Sequence, residues 1–72
     1  MIDSYLRWKL KGWTWNYRFT ADNVWRLDAH NTRNISYRYT AVDNSRLGMA
    51  FIAAKSVRRL NREIYLAEKT VV

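Results

Sequence analysis

The stretch YRYTAVDNSRLGMA, Tyr37 to Ala50, begins on one period and ends on another. Its first part continues an alternation that starts two residues earlier: Ile35, Tyr37, Tyr39 and Ala41 fall on one side of an extended chain, and Ser36, Arg38 and Thr40 on the other. That is the pattern of a half-buried strand, whose successive side chains point to opposite faces. After Ala41 the spacing changes. Asp43, Asn44 or Ser45 can accept a hydrogen bond from a free first-turn amide, and Ala50, Ala53, Val57, Leu60, Ile64, Ala67 and Val71 then recur three or four residues apart. The spacing predicts a strand over 35–41 and a helix from about 44 to 68, and a chain holding both is α+β in class.

Upstream, Trp13, Trp15, Tyr17 and Phe19 alternate with Thr14, Asn16, Arg18 and Thr20, the clearest strand in the sequence. From Val24 to His30, Trp25, Leu27 and Ala29 alternate as well. Asp22 could instead cap a short helix there, but the turn-like HNTRN, His30 to Asn34, suits a hairpin joining two strands, so a strand is expected. At the N-terminus Leu6, Trp8 and Leu10 alternate with Arg7, Lys9 and Lys11, which reads as a further strand; Leu6 and Leu10 are also four apart, as in a helix that Asp3 or Ser4 could cap. Gly12 fits a hairpin loop with Lys11 or a bulge inside one longer strand. With no proline, two glycines and no linker, residues 1–72 form a single domain. The expected architecture is a small antiparallel sheet of about three strands packed against one long C-terminal helix.

Composition narrows the chemistry. A chain of 72 residues buries a modest core and is marginally stable, and without cysteine it has neither a disulfide nor a thiolate metal site. Its single His30 cannot build a zinc cage, so no metal and no cofactor is expected. There is no Gly-rich phosphate loop and no cysteine nucleophile; Asp22 and Asp43 each precede Asn in turn or cap positions that explain them. The chain does not read as an enzyme. The longest apolar run, MAFIAA at 49–54, is far short of the ~20 residues of a membrane span, and the charged N-terminus is unlike a signal peptide, so a cytoplasmic protein is expected.

The net charge of +7 favours polyanionic partners, nucleic acid first, then anionic lipid and acidic protein. A near-repeat sharpens this. YRFTADNVWRLDA, Tyr17 to Ala29, matches Tyr37 to Ala50 in its polar as well as its apolar positions, so that Arg18 and Arg38 occupy equivalent places on two polar strand faces. If the strands share a sheet, Asn16, Arg18, Arg26 and Arg38 with neighbouring Thr and Ser form a plate of the residue types that contact base edges and phosphates. Between Asn44 and Arg62 there is no acidic residue, while Lys55, Arg58, Arg59 and Arg62 gather on one helix side, away from Val57, Leu60 and Ile64. The expected function is nucleic-acid binding, duplex DNA ahead of RNA, with the sheet residues reading bases and Lys55, Arg58, Arg59 and Arg62 holding phosphates. The alternative is a small inhibitor or adaptor, of the kind mobile elements encode, that docks on an acidic protein surface through the same faces. Peripheral membrane contact through Trp8 and its flanking cations is a third and lesser possibility. A helix longer than its sheet also suggests a homodimer through a seam of Val57, Leu60, Ile64 and Val71.

Overall fold

Leu27, at the middle of the central strand, has Tyr17 on one side and Ala41 on the other, and this row sets which side of the sheet is dry. The computed structural model describes residues 1–70 as helix α1 (Ile2–Lys9), strands β1 (Trp13–Phe19), β2 (Trp25–Asn31) and β3 (Arg38–Asp43), and helix α2 (Arg46–Thr70). The three strands are an antiparallel meander in the order β1-β2-β3. On the inner face Leu27, Ala29 and Ala41 are buried against Met49, Ala50, Ala53 and Val57 of α2. Alanines on both layers let helix and sheet approach closely, and the bulk of the core is then supplied by Leu6, Leu10, Trp13, Leu27 and Met49. The expected α+β plan of three strands under a long C-terminal helix is present, with one helix more than the sequence pattern called for.

That extra helix is α1, where the alternation had suggested a strand. The four-residue spacing of Leu6 and Leu10 prevails over the two-residue spacing: both leucines are buried, whereas Trp8, which a strand would have placed beside them, is 69% exposed. No side chain caps α1. Eight residues are too few for a helix stable on its own, so packing of Leu6 and Leu10 under α2 holds it. Gly12 is neither hairpin loop nor bulge; with φ +87° it turns the chain out of α1 and into β1, a conformation that costs glycine little. Its carbonyl accepts from both the backbone N–H (3.1 Å) and the hydroxyl (2.8 Å) of Thr32, tying this turn to the β2–β3 connection.

Strand β3 starts three residues later than its alternation implied. The Asn31 side-chain oxygen accepts from the amides of Arg33 (2.9 Å) and Asn34 (3.1 Å), and that of Asn34 accepts from Ser36 (3.0 Å). These local side-chain bonds hold the segment in turns and leave Ile35 outside the ladder and exposed. At the other end of β3 Ser45 caps α2, its Oγ accepting from the Gly48 amide at 2.9 Å while Asp43 accepts from Ser45. A Cβ at Gly48 would meet the Asp43 carboxylate and Ser45 Oγ, so a larger residue there would displace this capping pair. At 25 residues α2 is about 37 Å long and overhangs strands of six or seven residues, so that from Tyr65 onward every described side chain is exposed. Among the described residues no helix is long and apolar enough to cross a membrane.

Candidate nucleic-acid interface

The side of the sheet away from the helices carries three cross-strand rows, fixed by the register. Thr14, His30 and Arg38 form one, Asn16, Asp28 and Thr40 the next, and Arg18, Arg26 and Val42 the third. Alternation along each strand sends these side chains outward because their neighbours Trp13, Trp15, Leu27, Ala29, Tyr39 and Ala41 pack inward. Arg18 and Arg38, equivalent in the sequence repeat, therefore stand at diagonal corners of the plate, two strands across and four residues along, or roughly 16 Å between their Cα atoms.

Asp28 sits at the centre and organises one side of the plate. Arg26 donates to it through Nε (3.1 and 3.3 Å) and Nη2 (3.1 Å), and Thr40 Oγ1 donates at 2.7 Å. Hydrogen bonds from Arg26 and then Thr40 hold the Asp28 carboxyl below its ordinary range. Arg26 is thus committed to an ion pair within the protein, unlike Arg18 and Arg38. It is the only ion pair among the described residues, so almost all of the net positive charge faces outward without an internal partner.

Lys55, Arg58, Arg59 and Arg62 are all exposed on α2. At about 100° per residue they span one side of the helix, centred opposite Ala53, Val57 and Ile64, which face the sheet. The helix cations consequently point away from the sheet, and the sheet's polar side chains point the other way. The two sets expected to share one duplex lie on opposite sides of a two-layer protein. Of the seam expected for self-association, Val57 is 2% exposed in the protein's own core, and Leu60 and Ile64 are half-buried against that core; Val71 lies outside the described residues. The seam's described residues are occupied within the chain, since the helix needs this same face to cover the sheet.

One residue joins the plate that spacing alone did not assign: His30 stands between Thr14 and Arg38. Arg33, in the β2–β3 turn, and Lys11, in the α1–β1 turn, come together beside the Thr32–Gly12 hydrogen bonds, but they line a pocket with Asn61, Ile64 and Glu68 of α2 on the helical side of the sheet. Nothing in the linear order marked Lys11 and Arg33 as neighbours; only the hairpin brings them together. The aromatics beneath are held as a unit: Trp13 Nε1 donates to Asn61 Oδ1 (3.0 Å), Tyr39 OH to the Ala53 carbonyl (2.9 Å), and Tyr17 OH to Asp3 Oδ1 (2.6 Å). Burial raises the Tyr39 pKa, and the hydrogen bond to Asp3 raises that of Tyr17, so both remain neutral donors. Compared with protein-family models, curated proteins and solved structures, the chain matches none.

Proposed function

We propose that the protein binds duplex DNA through the outer face of its sheet. The observation that carries this reading is the plate itself: Arg18 and Arg38 at diagonal corners, Thr14, Asn16 and Thr40 between them, and a single carboxylate already occupied by Arg26 and Thr40. From β1 to β3 the plate is about 10 Å wide, which suits a major groove about 12 Å across. Arg and Asn can each bond a base edge in bidentate fashion, and the Thr14 and Thr40 hydroxyls on the same face can bond phosphate oxygens. Lys55, Arg58, Arg59 and Arg62 add to the long-range field that draws a polyanion in, but they do not touch the same duplex.

Fluorescence titration with a DNA duplex over a series of salt concentrations tests the assignment. Binding should fall steeply with salt, and Arg18→Ala/Arg38→Ala should weaken it by about tenfold or more. Lys55→Ala/Arg58→Ala/Arg59→Ala/Arg62→Ala should slow association while leaving most of the bound-state affinity. A sheet variant that binds like the parent would overturn the reading.

A further inference from the structure

A second feature of the surface is not used by the sheet face. Where α1 crosses beside α2, a groove of about 560 Å³ opens on the helical side of the protein. Its floor is apolar, formed by Tyr5, Phe51 and Ala54, and its rim carries Lys9, Lys55 and Arg58. Phe51 is 52% exposed, and its ring meets Tyr5 edge-on at 5.8 Å; Tyr5 in turn meets exposed Trp8 edge-on at 6.4 Å. Lys9 Nζ lies 4.3 Å from the Trp8 ring centroid and 5.9 Å from that of Tyr5, so a cation is fixed over the aromatic ledge. None of the six Asp and Glu side chains lines the groove.

A face that served only to keep the chain in solution would not leave Trp8 and Phe51 in water, nor exclude every acid from a surface this basic. We propose that this groove docks an acidic segment of a partner protein, a helix or turn that places one apolar side chain on Tyr5 and Phe51 and carboxylates opposite Lys9, Lys55 and Arg58. The charge complementarity is direct: three cations that make no ion pair among the described residues surround an apolar seat. Aromatic residues and Arg are the usual anchors of protein interfaces, and a groove between two helices is a common seat for an amphipathic segment. A nucleic-acid strand fits less well. Tyr5 lies nearly perpendicular to both Trp8 and Phe51, so the rings offer no parallel pair between which a base could be sandwiched, and Lys9 already covers one face of Trp8. The site is independent of the sheet plate, which faces the other way, so the protein would hold DNA on one side and an acidic partner on the other.

The test uses the full chain and a labelled acidic peptide of about 15 residues carrying two leucines four apart among Glu and Asp, with a control in which Ser replaces both leucines. Anisotropy should show the leucine peptide binding about tenfold or more tightly than the control, and Phe51→Ser should abolish that difference. Lys55→Gln/Arg58→Gln, at exposed positions that carry no core contact, should weaken both peptides and guards against a Phe51 variant that fails to fold. DNA-duplex titration of Phe51→Ser in parallel should match the parent, which separates this site from the sheet face: loss of duplex binding by the parent would refute the DNA reading and leave this one standing. Equal binding of the two peptides, or parent-like peptide binding by Phe51→Ser, would overturn the proposal. So would a Phe51→Ser effect seen on single-stranded oligothymidine or on vesicles rich in phosphatidylglycerol but not on the peptide.

Discussion

The outer face of the sheet and the outer face of the helices are both basic, yet they are built differently. On the sheet, charge is organised around a carboxylate: Asp28 fixes Arg26 and Thr40, and the strand register holds Arg18 and Arg38 a set distance apart. In the groove between the helices no carboxylate takes part, and cations surround exposed aromatic rings instead. The difference teaches that net charge alone describes attraction, whereas recognition depends on what holds each charge in place. A plate of polar groups at fixed spacing suits a regular ligand such as a duplex. An apolar seat with a cationic rim suits a partner that brings its own side chain.

The two faces share one core, and the largest expected effect comes from breaking it. Leu27→Ala removes the fully buried centre of β2 and should cost about 2–5 kcal/mol, enough in a small domain to abolish both faces together; chemical denaturation measures it. If Leu27→Ala lowers stability by much less, the sheet and helix layers do not depend on each other as described. A lesion confined to the helical layer should be smaller. Ser45→Ala removes the α2 cap and should cost about 1 kcal/mol, read as a shift in melting temperature, with the sheet's DNA affinity retained once the protein is folded.

The smallest stability effect belongs to the sheet face alone. Asp28→Asn breaks an exposed ion pair and should cost below about 1 kcal/mol, while freeing Arg26 and removing the only negative charge at the plate's centre, so DNA binding should strengthen by a few-fold. Because the folded Asp28 pKa is depressed from its ordinary 3.8, its contribution is present above that range and is lost as pH falls through the lowered value. Thermal melts in this acid window should therefore show a stability decline in the parent that is smaller in Asp28→Asn. Weaker DNA binding by Asp28→Asn would mean that the carboxylate itself contacts the ligand.

Much of this arrangement was legible in the sequence, and the repeat shows where legibility ended. Both copies begin Tyr-Arg-aromatic-Thr-Ala, and both begin as edge strands beside β2. In the first, Thr20 and Val24 close a tight turn with Asn23 at φ +63°, and the chain returns as β2. The second has one more residue before Asp-Asn, Val42; β3 runs on to Asp43, and Ser45 then caps a helix. One inserted residue, together with the cap Ser45 where the first copy has Val24, thus distinguishes the helix start from the hairpin, and the register sets Tyr17 in the row of Ala41, not of Tyr37. The strand periods and the long helix followed from local spacing. The fate of α1 did not, because Leu6, Trp8 and Leu10 fit both periods and only the presence of α2 decides between them. Nor could spacing show that the cations of α2 and those of the sheet look in opposite directions, since that follows from which side of the helix covers the sheet.

The most direct test of the central claim is amide chemical-shift mapping of the isotopically labelled protein on adding a short DNA duplex. The expected result is that the resonances of Asn16, Arg18, His30, Arg38 and Thr40 move with added duplex, while those of Lys55, Arg58, Arg59 and Arg62 stay in place. Movement confined to α1 and the α2 cations, with the outer strand residues unchanged, would contradict the account and transfer DNA binding to the helical face.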